Sequence, residues 1–243
     1  LEDVCMSHQE KDYLLRLSPL LEQFQDYYFV SIQHENCSSQ EQNRHKLFVL
    51  VKRGSKPIFK NKKKLTIITP SIRPENLKKI KESINFDYIN EWIIVYDGKR
   101  IKEHPHVFTA EGNLKIKEYL YTGVGVSGCP QRNFAMDHIE NEESYLFFLD
   151  DDNTVHPDLY RLLDIIDDEK IYTFDQWMRL KGNRVALCEF DTAMFIVDFK
   201  IAKQIRWHPD LFTADFYFAN DCVQQNPNKW VYVGNTLCYY NRM

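Results

Sequence analysis

The stretch YLFFLDDDNT, residues 145–154, decides how the rest of the chain is interpreted. Its five apolar residues lead directly into Asp150, Asp151 and Asp152. An uninterrupted apolar run of this length predicts a strand that is buried on both faces. Because adjacent carboxylates repel one another, three of them at the end of a buried strand are costly unless a cation or solvent relieves the repulsion.

Two explanations fit this acidic cluster. Mg²⁺ and Mn²⁺ prefer oxygen ligands and commonly join one or two carboxylates to the phosphates of a substrate. Alternatively, the acidic residues cap a helix that begins near Pro157, where negative charge is favourable. Since a cap requires only one carboxylate, three in succession favour a metal site.

The segments around this strand alternate between strands and helices. Further strands are predicted at residues 65–70, 92–96, 114–121, 195–197 and 230–233, and helices at 74–84, 131–139, 155–166 and 199–205. This alternation predicts an α/β fold with a largely parallel sheet covered on both faces. Ligands bind beyond the carboxyl ends of the strands in such sheets, and Thr69, Asp97 and Asp150 each fall at such an end.

The first 60 residues show a different pattern. Apolar spacing predicts a helix at residues 9–30, followed by a polar loop at 33–44 and a strand at 47–51. We therefore expect an N-terminal appendage over residues 1–60 and the main domain over residues 61–243.

The composition is that of an ordinary folded protein. Of the 243 residues, 44% are hydrophobic and 27% are charged, which argues against wholesale disorder. The formal net charge of −4 does not favour nucleic acid as a partner, because phosphate-binding surfaces are usually basic. We find no signal peptide and no apolar run as long as a membrane span.

Six cysteines, at positions 5, 37, 129, 188, 222 and 238, form no C-x-x-C pair and have no histidine at zinc-finger spacing. We interpret them as reduced thiols, which favours a cytoplasmic location, although their even number leaves disulfides open. The chain begins at Leu1 and stops directly after an apolar segment. This leaves open that the chain is a piece excised from a longer protein, whose membrane anchor or further domains lie outside it.

A second polar element precedes the acidic strand. Arg132 follows Pro130 at the start of a predicted helix, where backbone N–H groups and a guanidinium can both meet a phosphate. The alternative is an ordinary surface position on the helix. The Gly-rich loop at residues 123–128 is neither a Walker A sequence nor a G-x-G-x-x-G motif, and we interpret it as flexible backbone beside a ligand.

Four segments together resemble the GT-A nucleotide-sugar glycosyltransferases: TIITPSIRP at 66–74, the strand-end Asp97, the QRN triplet at 131–133 and the DDDNT run at 150–154. They look most like the inverting glucuronosyltransferases that use UDP-sugars and Mn²⁺, and more broadly like GT-A enzymes of bacterial and viral polysaccharide synthesis. The resemblance runs from about residue 65 to 221 and is more specific in its first half. It implies a GT-A (Rossmann-like) fold with a mixed, mostly parallel sheet flanked by helices.

The resemblance also implies roles for individual residues on the donor side. Nucleotide-sugar contacts are carried over to Thr69, Pro70, Arg73, Asp97, Arg132, Asp150 and Asp151. Asp97 would accept from the N3–H group of uracil, although an Asp-Gly pair can also be a simple turn. The D-x-D pattern implies that Asp152, with Asp150, would ligate Mn²⁺ or Mg²⁺.

On the acceptor side the resemblance is looser. Relatives carry an acidic pair that starts a helix, and Asp221 in the segment FANDC matches this position as the general base, with Asp215 as the alternative. The pair here is Asn-Asp rather than two acidic residues, and Asp221 could instead cap a helix. Glu189 and Asp191 match an acceptor-binding strand or belong to a polar edge.

The sequence therefore predicts a metal-dependent glycosyltransferase that moves a sugar from a nucleotide diphosphate donor, with UDP favoured, to a hydroxyl acceptor with inversion. The acceptor would be a glycan, a lipid-linked molecule or a protein hydroxyl, in polysaccharide or glycan biosynthesis. The alternatives are a retaining GT-A transferase and a catalytically inactive GT-A binding module. A nucleotidyltransferase fits less well, because its Gly-rich, Lys-containing loop is missing after the first strand.

Overall fold

The computed structural model describes residues 27–33, 47–52 and 63–240. The strands are β1 (Tyr27–Gln33), β2 (Leu47–Lys52), β3 (Lys64–Ser71), β4 (Ile89–Asp97), β5 (Ile116–Tyr121), β6 (Ser144–Phe148), β7 (Ile171–Gln176), β8 (Phe195–Asp198) and β9 (Trp230–Cys238). The α-helices are α1 (Leu77–Ser83), α2 (Cys129–Asp137), α3 (Pro157–Leu163), α4 (Phe199–Ala202) and α5 (Ala214–Gln225). Short 3₁₀ helices lie at Pro74–Asn76, Thr109–Glu111, Thr192–Met194 and Pro227–Lys229.

The nine strands of the described residues form one sheet, in the order β2-β1-β9-β7-β8-β6-β3-β4-β5. Within the seven strands from β3 to β9, the pairs β3–β4, β3–β6, β4–β5 and β7–β9 are parallel, and β8 runs antiparallel between β6 and β7. The predicted mixed, mostly parallel sheet flanked by helices is therefore confirmed. Because β8 runs in the opposite direction, it begins at the edge where β6 and β7 end. We call this edge, where β3, β4, β6 and β7 end, the carboxyl edge.

The apolar runs form the core of this sheet. Every residue of β6 and β8 is buried, and β3 and β4 are buried over most of their length. Each buried apolar side chain of the size of leucine or phenylalanine contributes about 1.5–3 kcal/mol relative to exposure. The central strands are thus fixed firmly enough to hold polar residues at their ends in a defined place.

The main elements predicted after residue 64 are present, with bounds that differ by a few residues. Helix α1 buries Leu77 and Ile80 and leads into the buried Ile84, as the apolar spacing predicts. Strand β7 was not predicted, because the polar residues Thr173, Asp175 and Gln176 interrupt its apolar pattern, although all three are buried.

The N-terminal prediction needs a correction. Residues 27–30, predicted as the end of a helix, lie in strand β1, which pairs with β2 and, at Ile32 and Gln33, with β9. The segment YYFVSIQ is rich in aromatic and β-branched residues, which favour a strand. Strand β2 confirms the strand predicted at 47–51. The rest of the predicted helix and nearly all of the polar loop lie outside the described residues, and the division at residue 60 stays a prediction.

Four cysteines fall within the described residues. Cys129, Cys188, Cys222 and Cys238 are all free thiols, and three of them are buried. In the same part of the chain, none of the helices combines the length and the apolar character that crossing a bilayer requires.

Candidate active site at the carboxyl edge

The acidic run lies at the carboxyl edge, directly after β6. The backbone N–H of Leu149 still donates to the carbonyl of Ile68 in β3 at 2.9 Å, and the chain then turns, with the N–H of Asn153 donating to the carbonyl of Asp150 at 3.1 Å. Helix α3 begins later, and its N-cap is His156, whose side chain accepts from the N–H of Asp158. The explanation of the three aspartates as caps of this helix is therefore wrong.

Asp151 is the buried member of the run and organises the turn after β3. One carboxylate oxygen accepts from the backbone N–H groups of Ile72 and Arg73, both at 2.7 Å, and from the hydroxyl of Ser71 at 3.2 Å. The other accepts from Nε of Arg73 at 2.9 Å, and the Asp151 carbonyl accepts from the Asn76 amide at 2.8 Å. Asp151 is only 3% exposed, so in this structure its carboxylate binds groups of the protein rather than facing solvent.

Asp150 pairs with Arg132 of helix α2. The guanidinium donates from Nη2 to a carboxylate oxygen of Asp150 and from Nη1 to the carbonyl of Ser127 at 2.5 Å. The Arg132 side chain is 4% exposed, whereas that of Asp150 is 30% exposed. Arg132 is therefore a buried support for a carboxylate that faces outwards, rather than a surface helix residue.

Helix α2 approaches the carboxyl edge very closely at its first residues. Gly128, the N-cap of the helix, has a φ of +73°, and a Cβ there would stand 2.8 Å from Cβ of Pro70 and 3.2 Å from Nη1 of Arg132. Only glycine adopts this conformation and allows this contact without strain. Gly128 thereby lets α2 bring Arg132 to the end of β6.

Asp152 is the third member of the run and is part exposed. One of its oxygens accepts from Nη2 of Arg73 at 2.9 Å, and its side chain is 26% exposed. Arg73 bridges Asp151 and Asp152 and is itself 40% exposed. Asp152 is thus anchored on one side and open to solvent on the other.

Asp191 approaches the same edge from the segment that leads into β8. It accepts from the amide of Gln176 at 3.0 Å and from Arg179 at 3.3 Å, and its side chain is 16% exposed. Burial raises the pKa of Asp150, Arg132 lowers it, and the negative charges of Asp191 and then Asp152 raise it again. Asp150, Asp152 and Asp191 therefore share one electrostatic environment.

Asp215 joins this group from the first turn of helix α5. Burial raises its pKa to about 6, the N–H of Phe216 and the charge of Arg132 oppose the rise, and the charges of Asp191 and Asp150 add to it. A carboxyl group with a pKa near neutrality is suited to accept a proton at physiological pH.

Asp221 and Glu189 lie outside this group. Asp221 is in the middle of α5, where its carboxylate is 36% exposed and lies 3.3 Å from Nε2 of His208. The suggestion that Asp221 caps a helix is wrong, because α5 begins at Ala214. Glu189 pairs with Arg184 on an exposed segment.

The two other strand ends contribute differently. Thr69 is fully buried and its hydroxyl accepts from the indole N–H of Trp92 at 2.9 Å, so its side chain faces the core. Asp97 ends β4 with its side chain 21% exposed, and it accepts from the N–H of Lys99 at 2.9 Å. The Asp97-Gly98 pair does form a turn, and a ligand contact of Asp97 stays a prediction.

Sequence reasoning missed several residues of this site. Gln176 ends strand β7 and Arg179 follows it, and both hold Asp191. The sequence did not indicate this strand, because its last residues are polar. Trp207, which lies under the Arg132 guanidinium at 4.5 Å, is only 1% exposed and belongs to the core. None of these three residues carries a local signal of its role in the sequence.

A divalent cation held by protein side chains alone needs several ligands close together. In residues 27–33, 47–52 and 63–240 no group of three or more His, Cys, Asp or Glu side chains is arranged to hold a metal. The other common arrangement uses one or two carboxylates together with substrate phosphates. Asp150 and Asp152 fit it, since both are part exposed and each is held by an arginine through one oxygen.

The sequence matches no protein-family model and no curated protein. Solved structures do share its fold. The chain is similar to S. aureus TarS 1–349, with a TM-score of 0.57 and 15% identity over 73% of this chain and 60% of that one. TarS 1–349 in complex with UDP-GlcNAc matches with a TM-score of 0.56 and 16% identity, over 74% of this chain and 59% of that one.

A third match is glucosyl-3-phosphoglycerate synthase from Mycobacterium tuberculosis in complex with Mn²⁺, UDP and glucosyl-3-phosphoglycerate. It has a TM-score of 0.53 and 11% identity, over 75% of this chain and 73% of that one. The chain spans about 60% of the length of TarS 1–349. At these identities the comparisons establish the fold, which is the predicted GT-A (Rossmann-like) fold.

Proposed function

We propose that this chain is a metal-dependent glycosyltransferase that transfers a sugar from a nucleotide diphosphate donor, with UDP favoured, to a hydroxyl acceptor with inversion. One observation carries the proposal: Asp150 and Asp152 are part exposed at the carboxyl edge of a GT-A sheet, and an arginine holds one oxygen of each. Support for UDP comes from the solved structures of similar fold that contain UDP or UDP-GlcNAc.

The donor half of the site is formed by the acidic run and its arginines. Asp152 and Asp150 would hold Mn²⁺ or Mg²⁺, and a bound cation neutralises charge that develops on the departing diphosphate. Arg73, which is 40% exposed, would offer positive charge to the diphosphate at the same edge. Arg132 is buried and would act by orienting Asp150.

The nucleoside end of the donor would lie towards β4. Asp97 stands at the end of this strand, next to the β3 turn that Asp151 organises. Its part-exposed carboxylate could accept from the N3–H group of uracil. Pro70 and the backbone beyond the buried Thr69 would supply the floor of this part of the site.

The acceptor half would be formed by Asp215 and Asp191. Asp215 takes the proton of the acceptor hydroxyl as its oxygen bonds to the anomeric carbon, and the bond from that carbon to the diphosphate breaks on the opposite face. We prefer Asp215 to Asp221 because Asp215 interacts with Asp150 and Asp191, whereas Asp221 faces His208. Asp191, held by Gln176 and Arg179, would contact the acceptor.

A screen of nucleotide sugars for Mn²⁺-dependent hydrolysis tests the proposal without knowledge of the acceptor. We expect one UDP-sugar to be hydrolysed by the wild type and not by Asp152→Ala, while Asp158→Ala, which removes an exposed ion pair with Arg161, keeps the activity. Equal turnover in the presence and absence of metal would contradict the proposal.

The same screen separates the alternatives. NMR of the first sugar product distinguishes inversion from retention by its anomeric configuration. Tight UDP-sugar binding without turnover under every condition would instead support an inactive GT-A binding module.

A further inference from the structure

Trp207 lies in the segment between α4 and α5 and is held against helix α2. Its ring packs under the guanidinium of Arg132, with 4.5 Å from Cζ to the ring centroid. Its backbone is fixed by the side-chain amide of Asn133, which donates to the Trp207 carbonyl at 2.8 Å and accepts from the Trp207 N–H at 2.9 Å. Consecutive residues of α2 therefore hold Trp207 through its ring and through its backbone.

The same indole contacts two more elements. It stacks on Phe218 of α5 with ring centroids 4.6 Å apart and an angle of 10° between the planes. It also meets Phe148, the last residue of β6, edge to face at 4.9 Å. Phe148 lies two residues before Asp150, and Phe218 lies three residues after Asp215, so both contacts are close to functional candidates.

The Arg132 guanidinium has few other constraints on its orientation. Its Nη atoms donate to Ser127 and Asp150, and within the described residues its buried Nε–H has no protein acceptor. Packing of a guanidinium on an aromatic face adds an attraction of about 0.5–2 kcal/mol that depends on the plane of the group. The indole therefore adds a contact on the face of the guanidinium to the two hydrogen bonds that set how Arg132 meets Asp150.

We infer that Trp207 is a positioning residue of this active site: it fixes the Arg132 guanidinium against Asp150 and ties the helix that carries Asp215 to the end of β6. This inference rests on the proposed function. Trp207 is 1% exposed and would touch neither donor nor acceptor, so its effect must pass through Arg132 and α5. It would join the half of the site that binds the donor to the half that activates the acceptor.

A double-mutant cycle between Trp207 and Arg132 tests the inference. We expect Trp207→Leu and Arg132→Lys each to lower kcat/KM for the donor by on the order of 10²-fold, as small misplacements in an active site do. Because both changes disturb one contact, the double variant should be only a few-fold worse than the poorer single variant. Trp207→Phe keeps an aromatic face under the guanidinium and should recover most of the kcat/KM lost in Trp207→Leu.

Trp230→Leu serves as the control for removing a large aromatic side chain. Trp230 begins β9 at the opposite edge of the sheet, where its indole donates to Thr173 at 2.9 Å. Combined with Arg132→Lys, it should give losses that multiply. Multiplying losses for Trp207 and Arg132 as well, or equal activity of Trp207→Phe and Trp207→Leu, would overturn the inference. A wild type without turnover on any nucleotide sugar would instead overturn the proposed function and the positioning role with it.

Discussion

Asp215 and Asp221 lie on the same helix and differ in what surrounds them. Burial raises the pKa of Asp215, in the first turn of α5, to about 6, and the negative charges of Asp191 and Asp150 add to the rise. Asp221 is six residues later, which on an α-helix means about 9 Å farther along the axis and a different side. The residue type alone does not distinguish the two aspartates as candidate bases. Their positions relative to the start of the helix do.

The choice of base is tested by two matched substitutions. Asp215→Asn should lower kcat by on the order of 10²–10⁴-fold and leave UDP affinity unchanged, because the loss of a general base affects proton transfer only. Asp221→Asn should change kcat by less than about threefold, since exposed changes away from the reacting groups have small effects. A large loss in Asp221→Asn with an active Asp215→Asn would return the role to Asp221.

The raised pKa of Asp215 also has a consequence for stability. The folded protein, in which this pKa is about 6, binds more protons than the unfolded chain as pH rises from the ordinary value of 3.8, so stability falls through that window. Asp215→Asn removes this loss and should be more stable than the wild type by about 1–2 kcal/mol at pH 7.5. The gain should disappear near pH 4.

Thermal unfolding at both pH values measures this difference. Asp221→Asn is the control for removing a negative charge from the same helix. A gain for Asp215→Asn that is equal at pH 4 and pH 7.5 would show that burial of an ionised carboxylate is not its origin.

At the scale of elements, the site depends on how α2 and the β3 turn meet the end of β6. The strands were predictable because their cores are apolar runs, and the carboxyl-edge positions of Asp97 and Asp150 followed from strand direction. The start of α5 was not predicted, because the resemblance placed a helix start at Asp221, whereas the helix begins at Ala214. The inward role of Asp151 also carries no local signal, since its partners are about 75 to 80 residues away in sequence.

The close approach of α2 is tested at Gly128. Gly128→Ala adds a Cβ at a φ of +73°, within 2.8 Å of Pro70, whereas Gly112→Ala has a similar φ of +66° and nothing within 4 Å. Urea unfolding should show that the substitution at Gly128 costs about 1–3 kcal/mol more than that at Gly112, because it adds a clash to the backbone strain. Equal losses would mean that the helix shifts freely and that its position does not depend on this glycine.

The anchoring of the β3 turn is tested at Asp151. Asp151→Asn removes the negative charge that accepts from the Arg73 guanidinium and from two backbone N–H groups. We expect a loss of about 3 kcal/mol in the free energy of unfolding. Asp158→Asn, in an exposed pair with Arg161, should cost less than about 1 kcal/mol. If the two variants unfold alike, Asp151 is not the anchor of this turn.

At the scale of the whole molecule, one sheet joins the two proposed halves of the site. The parallel strands β3, β4 and β6 end in the residues assigned to the donor, while β7, β8 and helix α5 bring Asp191 and Asp215 to the same edge. The strand ends of the first part were predictable, because each follows an apolar run. The second part depends on the reversed direction of β8 and on contacts distant in sequence, which residue patterns do not reveal.

Calorimetric titration of the chain with UDP, with and without Mn²⁺, tests the central claim most directly. If Asp150 and Asp152 join a cation to the diphosphate, Mn²⁺ should tighten UDP binding by at least about tenfold, equivalent to about 1.4 kcal/mol. Asp152→Ala should abolish that gain and keep the fold. UDP affinity that is the same with and without Mn²⁺ in the wild type would contradict the assignment of this edge as a metal–diphosphate site.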